Sequence, residues 1–401
     1  MKHSVEILSS LENIDPEKWD ALVGSNNPFC SHAFLSALEI SGSVGPHSGW
    51  VPCHIWVCAP NETTDSHSNQ STAIAAMPLY LKNNSYGEYI FDWSWAEASE
   101  RAGIPYYPKL VSAVPFTPAS GERLLVSTDL PEDEQHFWRK RLLEIAQQLA
   151  EQIPAHSVHW LCTNHPYPPL SSLHRRETLQ FHWNNPFIEG SSKAIHTFEQ
   201  WLQGFTTKDR KNIRSERRRA QSNVDRISCV QGHDLRSEQI DSLWAAYQDT
   251  ASRKWGRPYL TRAFFELLNQ RLAPYTLVFF AYRNQEIVAS SLCFQRGNHL
   301  YGRYWGCTEE LPFLHFELCY HQPIEYCLQH GLHKFEAGAQ GEHKLKRGLL
   351  PTSVHSWHWF QHDGLHQGVG DFLEEEIEAT QRSILQYMKH SPLKSSTTPS
   401  P

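Results

Sequence analysis

Hydrophobic residues recur along this chain with two different periods. Between Glu132 and Gln152 they fall at Phe137, Leu142, Ile145 and Leu149, with Ile153 just beyond. Offsets of three to five place them on one face of a long helix. Short runs rich in β-branched and aromatic residues predict strands: Val5–Leu8, Pro52–Cys58, Ala73–Leu81, Gly87–Trp93 and Val158–Leu161. Pro16–Val23 and Ser31–Ile40 read as short helices, the second with the Ser31 hydroxyl as N-cap. The polar stretch Pro60–Ser71 reads as a mobile loop. Residues 94–121 carry Pro105, Pro108, Pro115 and Pro118 among aromatics. Proline removes backbone donors, so an irregular, shaped loop is expected there.

A second unit begins near residue 190. Ile195–Gln221 reads as helical and polar to basic, Arg226–Val230 as a strand, and Ser237–Leu272 as helices broken around Trp255–Tyr259. Tyr275–Tyr282, Gln285–Arg296 and Leu300–Gly306 follow as hairpin-linked strands. A helix Phe316–His330, strands His333–Glu336 and Ser353–Phe360, and an amphipathic helix Phe372–Lys389 complete the order. Each half therefore runs from helices through an antiparallel meander to a long helix and a strand. That order predicts an α/β protein of two like modules, residues 1–188 and 189–390. Their sheets should be mixed and largely antiparallel, flanked by helices, and not doubly wound. Residues 391–401, rich in Ser, Thr and Pro, read as a disordered tail.

Composition narrows the class. At 401 residues, 40% apolar and 20% charged, the chain is globular and long enough for two or three domains. A formal charge of -7 argues against DNA as a partner, although a local basic patch can still meet a phosphorylated ligand. Nine cysteines without a CxxC pair exclude a zinc ribbon and point to a reducing compartment. The N-terminus lacks an apolar core of the signal-peptide kind, and no uninterrupted apolar run reaches membrane-spanning length. A cytoplasmic protein without a transmembrane segment is expected. No metal is expected either, because His330/His333 and His355/His358 lack HExxH form and a third ligand.

Three stretches hold candidate chemistry. In Phe335–Pro351, glycines 338, 341 and 348 are interleaved with Gln340, Glu342, His343, Lys344, Lys346 and Arg347. Glycine lets backbone approach a ligand, and the cations suit phosphate or carboxylate; the alternative is a solvated charged turn. In Thr207–Ala220, Arg210, Arg214, Arg217 and Arg218 share a helix face, with Lys211 beside them. Unbalanced cations invite an anionic partner: tRNA, a nucleotide-linked sugar, or a phospholipid head group met peripherally at a membrane. Alternatively, acidic residues of this chain pair with them. In the aromatic stretch, Asp92 or Glu97 is the candidate general base. A carboxylate among the indoles of Trp93 and Trp95 would be desolvated and its pKa raised. Tyr106, Tyr107, Lys109 and Phe116 are candidates to line the same cleft, against a plain core role.

The module order resembles the GNAT acyltransferase fold, and its duplication resembles FemABX-type peptidyl transferases, whose chains hold two GNAT-like domains. The chain is identified as a member of the FemAB-like group of peptidoglycan biosynthesis or recognition proteins. The resemblance rests on NPFCSHAFLSALEISGSVG (27–45), MPLYLKNNSYGEYIFDWSWAEA (77–98), YYPKLVSAVPFTPASGERLL (106–125), KDRKNIRSERRRA (208–220) and FEAGAQGEHKLKRGLLP (335–351). It implies transfer of an acyl or aminoacyl group to an amine, on a cell-wall precursor. It places Lys346, Arg347 and Gly348 nearest the family's Lys-x-Gly-Phe-like element, and Tyr304 and Trp305 at the acyl tunnel. The Gly-rich pyrophosphate loop of GNAT acetyltransferases is missing after Leu300–Gly306, where Cys307-Thr308-Glu309-Glu310-Leu311-Pro312 stands instead. That departure argues against coenzyme A, and the FemABX resemblance implies an aminoacyl-tRNA donor instead; acyl-CoA and aminoacyl-tRNA both stand as candidate donors. The rival functions are a CoA-dependent N-acetyltransferase of a small amine or protein, and a non-catalytic module binding an anionic cell-envelope ligand.

Overall fold

The long helix forms where its apolar spacing puts it, at Glu132–Gln152, with Glu132, Asp133 and Glu134 in its first turn. Carboxylates there complement the unsatisfied N–H groups of a helix start. Leu142, Ile145 and Leu149 are buried, but the stripe enters the core through Trp138; Phe137 is exposed. Ser31 caps helix His32–Ile40 by accepting from the Phe34 backbone at 3.2 Å. The computed structural model describes residues 3–59, 72–164, 172–185, 195–255, 258–339 and 341–394. The expected loop at 60–71, Gln340 and tail residues 395–401 lie outside them.

The chain divides into two units. The first comprises residues 1–178 and 354–380, and the second residues 179–353 and 381–401. The segment 354–380, expected in the second domain, thus returns to the first.

In the first unit, strands Ser4–Leu8, His54–Ala59, Thr72–Met77 and Leu125–Val126 form an antiparallel sheet in that order. A further set runs from Leu350–Phe360 through Ser157–Thr163, Lys109–Ser112 and Tyr80–Lys82 to Val51–Pro52. Only the pairing of Lys109–Ser112 with Ser157–Thr163 is parallel within it. Helix Glu132–Gln152 packs with Ile55, Val57, Met77, Trp160 and Trp357 in one apolar core.

In the second unit, Arg226–Gln231, Thr276–Arg283, Glu286–Arg296 and His299–Cys307 form the expected antiparallel meander. Lys334–Glu336 then pairs parallel to His299–Cys307 and antiparallel to residues 182–184. Gly306 lies against the long helix Ser237–Trp255 so closely that a Cβ would stand 2.2 Å from the Ala246 carbonyl oxygen. No described helix is long and apolar enough to cross a membrane.

Several expected elements change. Gly87–Trp93 is not a strand: Tyr89 takes a positive φ of 60°, and Trp93 opens helix Trp93–Arg101. The supposed loop 94–121 therefore contains that helix and strand Lys109–Ser112. Strand His174–Asn184 is new. Ile195–Gln221 splits into helices Phe198–Leu202 and Thr207–Gln221, because Thr206 caps the second. The helix expected at Phe316–His330 begins at Leu314, winds as a π-helix over Glu317–His321 and continues as Gln322–Gln329. The last helix starts at Asp363, not Phe372.

Candidate functional site

The segment 335–351 folds into a 3-10 turn, Glu342–Arg347, after strand Lys334–Glu336. The turn alternates its cations. Lys344 and Arg347, three residues apart, are buried, while Glu342, His343 and Lys346 are exposed. The turn ends at Gly348 with φ of 77°. A Cβ there would meet Trp201 and Phe205 at 2.7 Å, so glycine is required twice over.

The π-helical turn Glu317–His321 gathers the partners of this segment. Such turns insert one extra residue and turn the following side chains to new directions, often at functional sites. Tyr320 meets His343 Nε2 at 2.9 Å. Arg347 lies over Phe316, 3.4 Å from the ring centre, and donates to both oxygens of Glu216 at 3.0 Å. His321 is fully buried 3.7 Å from the same carboxylate. Its pKa is lowered: burial disfavours the imidazolium more than Glu216 favours it.

Helix Thr207–Gln221 runs beside this turn. Arg217 donates to the buried Glu317 at 3.0 Å and to Glu325, and stacks over Phe198 at 4.2 Å. Burial alone would raise the Glu317 pKa, but Arg217 holds it below the usual carboxylate range. Arg214 pairs with Glu199, and Arg210 donates to Gln203. The cations expected to be unbalanced are thus largely answered by this chain's own groups. Lys211 and Arg218 remain exposed without an ion pair among the described residues. A polar groove of about 700 Å³ opens here, lined by Thr197, Arg214, Arg217, Arg218, Gln221 and Gln322, among others.

Lys344 differs from these paired cations. It is 2% exposed, donates to the Gly338 carbonyl at 2.7 Å, and has no ion pair among the described residues. Burial pushes its pKa down to about 7. A lysine so placed is a base as well as a cation at neutral pH.

The aromatic stretch of the first unit builds a separate polar centre. Lys109, fully buried, donates to Ser85 at 2.8 Å, to Glu88 at 2.9 Å and to Asp92. Tyr106 donates to Asp92 at 2.6 Å, and Ser85 meets Tyr107 at 2.7 Å. Lys82 lies 3.6 Å over the Trp50 ring and 3.7 Å from Glu88. Burial raises Glu88 to about 7 despite Lys109 and lowers Lys82 to about 7. Beside them His159 and His358 share a 2.7 Å hydrogen bond between Nδ1 atoms, and both are held neutral, chiefly by burial.

This geometry corrects the expectation for Asp92. Burial does push its pKa up, but Lys109 and its hydrogen bonds win, holding it well below the usual carboxylate range. Asp92 is a locked anion, not a base. Glu97 is exposed on helix Trp93–Arg101 and does not join the centre. Of the other candidates, Tyr106, Tyr107 and Lys109 meet around Asp92. Phe116 packs on Trp50 in the core; Trp95 is buried edge-on to His358; Trp93 is exposed against Tyr86. Tyr304 is buried edge-on to Tyr247 at 4.9 Å. Sequence reasoning missed Glu216, Glu317, Tyr320 and His321. Glu216 alone left a trace, as the one carboxylate in a run of cations from residue 210 to 219.

A family profile named FemAB-like, described as peptidoglycan biosynthesis/recognition, matches residues 10–395. The chain belongs to this family. Membership makes the FemAB-like protein a transferase acting on a peptidoglycan-related substrate. Among solved structures it is similar to FemX, at 10% identity and a TM-score of 0.51, over 92% of this chain and 100% of that one. It is also similar to L-PGS from Bacillus licheniformis, at 13% identity and a TM-score of 0.50, over 90% and 97%. A conserved protein of unknown function from Bacteroides thetaiotaomicron follows at 9% and 0.50, over 88% and 99%. These likenesses bear out the fold class, a mixed α/β chain with the fold of FemX and L-PGS. A comparison with curated protein sequences finds no significant match.

Proposed function

We propose that the FemAB-like protein transfers an aminoacyl group from an aminoacyl-tRNA to an amine of a peptidoglycan-precursor peptide, with Lys344 as proton acceptor. The supporting observation is that buried lysine, beside a glycine turn and without an ion pair among the described residues. The acceptor amine attacks the ester carbonyl and forms the new C–N bond. Neutral Lys344 takes the amine proton, directly or through one water. Collapse of the tetrahedral intermediate breaks the ester C–O bond, and the Lys344 ammonium returns the proton to the leaving ribose oxygen. Exposed Lys346, with Arg214 and Arg218 of the polar groove, meets donor phosphates. The missing pyrophosphate loop disfavours acyl-CoA. A charged-tRNA donor requires a cytoplasmic site of action.

The test is transfer of labelled amino acid from a charged tRNA pool to a precursor peptide. The rate should rise with pH through about 7, and Lys344→Met should abolish that limb. Lys346→Ala should raise the donor KM with little change in kcat. Turnover with acetyl-CoA and none with charged tRNA would overturn the donor assignment. An unchanged pH profile in Lys344→Met would overturn the base.

A further inference from the structure

The first unit holds a cavity of a different character. It lies between helix Trp93–Arg101 and the first turns of helix Asp363–Lys389, and holds about 360 Å³. Small residues at Ala98, Ala102, Gly364 and Gly368 leave the space open, and Trp95 and Phe372 supply aromatic walls. A Cβ built on Gly368 meets no atom within 4 Å. Ser99 in the lining is already spent, donating to the Ile104 carbonyl at 2.7 Å. The buried indole N–H of Trp95 has no acceptor among the described residues.

We propose that this cavity binds the single aliphatic chain of an amphiphile with a neutral head. Three observations favour that occupant. The volume lies in the range of small-molecule sites, about 300–1,000 Å³, whereas a protein partner needs about 800 Å² of surface from each side. The walls are almost wholly apolar, and the one unsatisfied donor, Trp95 Nε1, suits a hydroxyl or ester oxygen rather than a cation. Apolar rings continue at the surface: Phe372 is 45% exposed in the lining itself, and Trp93, chain neighbour of the lining residue Ser94, is 39% exposed. Charge selects the head. Within one helical turn of lining residues, Glu97, Glu100, Asp363, Asp371, Glu374 and Glu375 are exposed carboxylates against the exposed cation Arg101; the buried Arg176, 4.6 Å over the Trp95 ring, is already paired with Glu376, so the balance disfavours an anionic head group.

Isothermal titration of the full chain with 1-hexanol, 1-octanol and 1-decanol tests this. Affinity should rise about fourfold per methylene, and decanoate should bind more weakly than decanol. Gly368→Leu and Ala98→Phe fill the space from opposite helices. Each should weaken decanol binding at least tenfold while the far-UV circular dichroism stays unchanged, Gly368→Leu being the safer fold because its side chain enters open volume. Co-sedimentation with phosphatidylcholine vesicles, lost in Gly368→Leu, would assign the chain to a membrane lipid. Alkanol binding without vesicle binding would assign it to a soluble acyl or alkyl compound. Affinity that is flat with chain length, or unchanged in both variants, would overturn the proposal.

Discussion

Substituting Lys109 by Met removes one charge from a buried set that Lys82, Glu88 and Asp92 otherwise balance. Lys109 is fully buried, and its ammonium serves Ser85, Glu88 and Asp92 together. Methionine fills nearly the same volume, so the effect isolates the charge. Afterwards Asp92 keeps the hydroxyls of Tyr106 and Ser85, and Glu88 keeps Lys82 at 3.7 Å. Breaking a buried pair at one partner costs about 3–5 kcal/mol. The remaining contacts put this case near the lower end, about 3 kcal/mol at pH 7. With a urea m-value of about 1–3 kcal/mol/M, the midpoint should fall by about 1 M or more. The pH dependence gives the sharper test. In the wild type the Asp92 pKa is depressed, so its contribution is present above the unfolded value near 3.9 and lost as pH falls through the folded one. In Lys109→Met, burial acts on Asp92 without its main counterweight, so protonation relieves the variant. The deficit should therefore shrink between pH 7 and pH 4.5, and adding Asp92→Asn should recover part of it at pH 7. A loss under about 1 kcal/mol, or one equal at both pH values, would refute the reasoning.

Lys344→Met should stabilise the protein while lowering its activity. The Lys344 pKa is depressed to about 7, so burying its cation opposes folding below that pH. The gain should be about 1–3 kcal/mol at pH 6 and smaller at pH 9, by urea titration. Gly368→Ala, in a helix interior with open space at its Cβ, should add about 0.5–1 kcal/mol and raise Tm by a few degrees in calorimetry. Gly306→Ala should lower the urea midpoint sharply, because its Cβ would stand 2.2 Å from the Ala246 backbone oxygen and neither element can yield cheaply.

Periodicity made the large elements legible and said little about polar burial. The stripe of Glu132–Gln152 and the three-strand meander at 276–307 each follow from apolar spacing alone. Strand His174–Asn184 escaped because its first half reads as charge. Yet Arg176 and Glu177 are buried, Arg176 on Glu376 at 2.7 Å and Glu177 on Arg175 at 3.0 Å. Gly364, Gly368 and Gly370 lower helix propensity over the first turns of Asp363–Lys389, so the amphipathic signal begins only at Phe372. The same limit explains Asp92. Its aromatic neighbours are visible in the sequence and imply desolvation, but its decisive partner, Lys109, lies 17 positions away on strand Lys109–Ser112. The glycines and cations of 342–347 mark the site turn in the sequence, whereas Glu216 reaches it from helix Thr207–Gln221, 131 positions away from Arg347, and Tyr320 from the π-helical turn.

The return of residues 354–380 to the first unit sets a schedule for biogenesis. A ribosome releases the chain from its amino end, so the first unit lacks strand 354–360 and the start of helix Asp363–Lys389 until residues 179–353 of the second unit have emerged. The second unit waits longer still, for residues 381–394. Neither unit is one continuous stretch of chain, and fragments cut near residue 188 should emerge as chaperone clients rather than as native domains.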